Sequence, residues 1–221
     1  MLLLSGGPGQ QSKVAAVDVK PQAGMLLEIT LERKREGKVE PMTAGHVFQH
    51  GDTIRFRLKS HYDGFLYVMD QGTSGHFSTL FPSADAGSDN RVQSEHEYMV
   101  PAAADDGWFE VTAPAGFDVL YFLLSPTELA KPTAASFVAP GPVSSLRPRC
   151  NDKIFRARGE CTDDSAGPQA LPRGQALPAP LAPMAGSASR DIVFSKKDGG
   201  AVGVSGAASA PLLYTFRLAH Q

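Results

Sequence analysis

The residues of this 221-residue chain that could do chemistry are its histidines, a set of loop aspartates, two cysteines and a group of aromatics. The histidines are His46, His50, His61, His76, His96 and His220. His46 and His50 stand four apart, a separation that puts two metal ligands on one face of a helix. Gly51 and the strand pattern after it argue against a helix there, so both read as solvent-facing loop histidines and no metal site is expected. His61 and Asp63 could form a carboxylate–imidazole pair for a distant serine. No Gly-x-Ser-x-Gly accompanies them, so no catalytic triad is expected. Asp85, Asp89, Asp105 and Asp106 lie in loops without EF-hand spacing and read as solvated charge. Gly6-Gly7-Pro8-Gly9 and Gly199-Gly200 lack the Lys-Ser/Thr and the strand-to-helix setting of a phosphate loop, so no cofactor is expected.

The aromatics are the stronger lead. Tyr62, Phe65, Tyr67, Phe77, Tyr98 and Trp108 cluster in one stretch, and Trp108, Tyr62, Tyr67 and Tyr98 are the candidate binding surface for a sugar or peptide. Core packing is the competing reading, because aromatics at strand spacing usually fill interiors. Cys150 and Cys161 enclose ten residues, with no CxxC or zinc-finger histidine nearby. A Cys150–Cys161 disulfide is expected, and with it an oxidising compartment. Two separate reduced thiols are the alternative.

The elements that must position these residues are strands. Met25, Leu27, Ile29 and Leu31 alternate with Leu26, Glu28, Thr30 and Glu32, the period of a half-buried strand. The mixed-charge run Glu32–Glu40 around Gly37 reads as a solvated loop. Ile54, Phe56 and Leu58 face one way and Arg55, Arg57 and Lys59 the other. Asp63-Gly64 then reads as a hairpin turn into the doubly apolar strand Phe65–Met69. Gly72–Gly75 turns into a third strand, His76–Phe81, with Phe77, Thr79 and Phe81 on one side, which makes a meander. Weaker strands are expected over 91–100 and 108–111, and a strong one at Val119–Leu124. Residues 166–189 are rich in proline and alanine and read as a linker or surface loop. Strand signals return at 191–194 and 212–218, and the last strand is expected to complete the sheet begun at Met25.

The domain division that follows has residues 1–24 as a flexible leader, either a signal-peptide remnant or a plain tail. Residues 25–130 form a β-rich core, 131–190 a Pro/Ala-rich loop region, and 191–221 strands that complete the same domain. The fold class is all-β, an antiparallel β-sandwich with long irregular loops and little helix. A formal charge of −2 excludes a basic nucleic-acid footprint, and no apolar run approaches a membrane span.

Seven pieces occur in register: Val47-Phe48, Gly51–Phe56, Asp63–Val68, Leu80-Phe81-Pro82, Asn90-Arg91-Val92, Tyr98–Pro101 and Gly116–Tyr121. Over about residues 25–126 this series resembles a bacterial domain of unknown function, the one numbered 4384. The resemblance implies a β-rich module of exported or envelope-associated proteins that is appended to other domains rather than catalytic itself. The expected function is therefore a non-catalytic binding or assembly module of a periplasmic or secreted protein, with an envelope protein or glycan as partner. The alternative is a glycan or small-ligand binding domain that uses its exposed aromatics.

Overall fold

The computed structural model describes residues 24–73, 75, 77–82, 89–102, 107–129, 147–150, 160–172, 175, 177–178, 181–184, 186–189 and 191–221. Residues 1–23 of the expected leader and the loop aspartates Asp85, Asp105 and Asp106 lie outside the described residues, as does His76. The described chain is an all-β sandwich of two sheets. Its strands are β1 (Met25–Arg35), β2 (Lys38–Met42), β3 (Val47–Phe48), β4 (Thr53–Ser60), β5 (Gly64–Gln71), β6 (Phe77–Phe81) and β7 (Arg91–Val92), followed by β8 (Glu97–Val100), β9 (Phe109–Glu110), β10 (Gly116–Ser125), β11 (Gly167–Gln169), β12 (Val193–Lys196), β13 (Val202–Gly206) and β14 (Leu212–His220). The first sheet runs β12-β13-β1-β4-β8, with β2 beside β1 and β9 beside β4. The second runs β11-β14-β10-β5-β6, with β3 beside β14 and β7 beside β5.

The period-two alternation explains why these sheets face each other. Met25, Leu27, Ile29 and Leu31 of β1 and Ile54, Phe56 and Leu58 of β4 meet Leu66 and Val68 of β5, Leu120, Phe122 and Leu124 of β10, and the apolar side of β14. Phe56 packs edge-on against Phe122 at 5.8 Å and Phe216 at 5.7 Å, and Phe122 stacks on Tyr214 at 5.4 Å. These rings tie the sheets together.

The two outer faces differ. That of the first sheet is an ion-pair lattice: Glu32, 7% exposed, accepts from Arg55 Nε at 2.7 Å and Arg57 Nε at 2.9 Å, and Arg57 reaches Glu97 at 3.0 Å. That of the second is apolar, where Met69, Tyr121, Leu123 and Leu213 are covered by Leu181 and flanking side chains from the Pro/Ala-rich stretch.

Several connections depart from the expected order. Asp63-Gly64 closes no hairpin, because β4 and β5 belong to different sheets and the chain crosses between them there. Gly64 is required by close approach instead: a Cβ would lie 2.6 Å from the Ser125 carbonyl oxygen. The meander reduces to the β5–β6 pair. A bulge shifts its register between Val68 and Met69, so Phe81 packs into the main core and Phe77 onto the opposite face. The charged run Glu32–Glu40 is a β1–β2 hairpin turning at Glu36 and Gly37, both at positive φ. Residues 91–100 split into β7 and β8, one in each sheet. The last strand, β14, pairs with β10 in the second sheet; β13, which carried no strand signal, joins β1.

Candidate functional site

On one lateral side of the sandwich, β12 ends the first sheet and β11 ends the second. Between them opens a cleft of about 700 Å³. Phe194, Val202, Ala44, Ala166 and Pro168 give it apolar walls, and Lys196 and Lys197 stand at its rim. Thr162 lines it with a buried hydroxyl that has no hydrogen-bond partner among the described residues. That size and mixed lining suit a ligand or an inserted side chain.

Glu160, Thr162, Asp163 and Asp164, which flank Cys161, line part of the cleft. Cys150 and Cys161 are disulfide-bonded with Cα atoms 4.9 Å apart, and Cys161 packs with Val47, Phe117 and Ala219. The Cys161 carbonyl accepts from Val47 N at 2.9 Å, and Asp163 N donates to the Gly45 carbonyl at 2.8 Å. The Asp163 carboxylate accepts from Arg149 N at 2.6 Å and Ser165 N at 2.8 Å. Burial raises its pKa, but these hydrogen bonds outweigh burial and hold it below the usual carboxylate range.

The four aromatics named from sequence fall in three different surroundings. Tyr62 and Tyr98 pack against the main core; Tyr98 meets the Phe81 ring at 6.3 Å, and its hydroxyl accepts from Gln93 N at 2.8 Å. Tyr67 packs on the other face of the second sheet, with its hydroxyl accepting from Leu129 N at 2.8 Å. Trp108 lies on the charged face, its ring under the Arg55 guanidinium at 4.3 Å and the Lys34 ammonium at 5.6 Å. The structure brings no platform together from these four side chains.

The histidines divide likewise. His46 is no solvent-facing loop residue: it is 4% exposed and edge-on to Phe48 at 4.7 Å. Burial, with Arg33 beside it, holds its pKa below the usual imidazole value. His50 is exposed, as expected from sequence. His61 pairs with Glu95 and Glu28 rather than with Asp63, whose carboxylate accepts from Ser94 N at 2.7 Å. His96 is exposed and contacts the Ser94 carbonyl, and Asp89 accepts from Arg91 N at 2.9 Å. Among the described residues no three His, Cys, Asp or Glu side chains are placed to hold a metal ion, and no helix is long and apolar enough to cross a membrane.

Sequence reasoning missed a polar group inside one end of the sandwich. Asp70, Asp118 and His220 continue the inward-facing series Leu66-Val68, Leu120-Phe122 and Phe216-Leu218. Asp118 Oδ1 accepts from Thr73 N at 2.6 Å and Thr73 Oγ1 at 2.9 Å, with His220 Nε2 at 3.4 Å. His220 Nε2 lies 2.9 Å from Thr73 Oγ1, which donates to Asp118 and so accepts from the imidazole. Burial raises the Asp118 carboxyl, but His220 and Thr73 more than offset it and hold the group below its ordinary pKa. The available signal was parity: a charged residue at the inward position of an otherwise apolar strand.

No curated protein and no solved structure matches the chain. Residues 47–128, from the start of β3 to just past β10, match the model of the family described as Domain of unknown function (DUF4384).

Proposed function

We propose that the protein is a non-catalytic binding module of a bacterial envelope or secreted protein, and that it takes an extended segment of a partner protein along the free side of β12. The observation that carries this reading is the β12 edge itself. Val193 is 61% exposed on a strand with no neighbour beyond it among the described residues, beside the lateral cleft. An edge strand presents unpaired N–H and C=O groups that an added strand completes, while a neighbouring pocket selects its side chains.

The edge strands β2, β11, β6 and β8 carry devices that discourage such pairing. β2 carries Lys38, Glu40 and Pro41, and β11 holds Pro168. β6 is bulged and stops at Pro82, and β8 carries the ion-paired Glu97 before Pro101. β12 has neither proline nor bulge, and Lys196 at its end is its one charged residue. The Cys150–Cys161 disulfide is compatible with the oxidising compartment this role requires.

The test is site-specific photo-cross-linking in the native host. A photoreactive residue at Val193 is compared with one at Val39, the other large apolar side chain exposed among the described residues, at 46%. A defined protein adduct at position 193 that is absent at 39, and lost on Lys196→Pro, whose N–H faces away from β13, with unchanged melting, is the expected result. Equal labelling from both positions, or none from 193, overturns the proposal.

A further inference from the structure

The polar group inside the end of the sandwich faces a second cavity of about 260 Å³, which shares no lining residue with the cleft beside β12. One wall of it is apolar, built by Ile54, Phe56, Leu80, Phe109, Leu120 and Leu218. The other carries Asp70, Asp118, Thr73 and His220, with Glu110 at the side. Among the described residues no lysine or arginine lines it, and His220 is the one basic side chain on its wall.

The two aspartates are in opposite situations. Asp118 is saturated on one oxygen by Thr73 and His220. Asp70 lines the same cavity, yet its Oδ1 is cut off from solvent and has no hydrogen-bond partner among the described residues. An unpaired polar atom in a strand interior is costly, and an apolar residue would sit at that position at less cost. Gly116 contributes to the arrangement: a Cβ there would lie 2.5 Å from Thr73 Cγ2, so glycine leaves the room in which Thr73 turns toward Asp118.

We propose that this cavity is a binding site for a compact alkylammonium group, whose nitrogen donates to Asp70 and Asp118 while its carbon stem lies against Phe56, Leu120 and Leu218. Burial first, and the Asp118 charge second, push the Asp70 carboxyl up to about 8, so it holds its proton at neutral pH in the empty cavity. The ammonium takes that proton's place: Asp70 releases one proton to solvent and becomes the carboxylate that pairs with the ligand. The remaining charged or titratable groups facing Asp70 are Asp118, His220 and Glu110. Affinity therefore rises with pH up to about 8 and falls again only where the amine itself loses its charge, near the pKa of about 10.4 of a lysine-type amine.

Titration of the whole chain with n-butylammonium, followed by amide NMR shifts of Thr73 and Leu120 and by calorimetry, tests this, with n-butanol as the uncharged control. Saturable binding is expected, at least tenfold stronger than that of butanol and about tenfold tighter at pH 7 than at pH 6. Calorimetry in two buffers of different ionisation heat should report release of about one proton per ligand, a readout that needs no variant. Asp70→Asn should abolish binding. Nα-acetyl-lysine N-methylamide serves as a second probe. If it binds the more tightly, the source is a protein lysine, and if it is excluded the source is a free amine. Equal binding of butanol and butylammonium, no proton release, shifts caused by calcium alone, or unchanged affinity in Asp70→Asn would each overturn the inference.

Discussion

Asp70 occupies the third inward position of β5, after Leu66 and Val68, both fully buried. Its raised pKa has a sign for stability. Between the unfolded value near 3.9 and the folded value of about 8, the folded chain binds a proton that the unfolded chain lacks. Unfolding free energy should therefore fall as pH rises through that window, by up to about 1.4 kcal/mol per pH unit from this residue, and level off above it. Asp70→Asn removes the titration, so denaturant melts at pH 5 and pH 7.5 should differ less in the variant than in the parent. Parallel pH profiles would show that Asp70 is ionised in the fold. The inward parity of Asp70, Asp118 and His220 was readable from the alternation of their strands. Their convergence was not, because His220 lies in a strand 147 residues from its partner Thr73.

At the scale of elements, the second sheet explains the stretch that composition assigns to a linker. β5 and β10 carry apolar side chains on both faces and β14 adds Leu213 outside, so an outer cover is needed, and Leu181 supplies part of it at 0% exposure. Leu181→Ala should lower stability by about 2–4 kcal/mol in a chemical melt, as for other buried leucines. A loss under about 0.5 kcal/mol would mean the cover is only loosely attached. The charged face of the first sheet shows the opposite solution. There Glu32 shares its carboxylate between Arg55 and Arg57, and Trp108 lies flat beneath Arg55. The alternation of β4 announced a polar face; that Trp108 would be held by it depends on β9 pairing with β4, a contact between residues more than fifty positions apart.

Across the whole molecule, the segment that matches the family model omits strands on which its own sheets depend. β4 pairs along eight residues with β1, and β10 along nine with β14, both outside residues 47–128. A fragment of 47–128 alone would leave these strands with an unpaired side each and half of the core missing. It is expected to show no cooperative thermal transition, whereas a chain spanning 24–221 should melt in one. A sharp transition of the short fragment by circular dichroism would show that the family segment folds by itself.

The alternation of apolar and polar residues determined the all-β class, the inner faces of β1 and β4, and the sites of most turns, because period-two patterning is a local property of the chain. The nearness of Cys150 to Cys161 in sequence likewise made their disulfide legible. Which strands share a sheet was decided only in three dimensions. Asp63-Gly64 has the composition of a hairpin turn and serves as a crossover between sheets, since Gly64 is required by the Ser125 carbonyl rather than by its own φ. The same holds for both cavities. Each is a gap between strands far apart in the chain, and no local pattern records how wide two packed sheets stand at their edges.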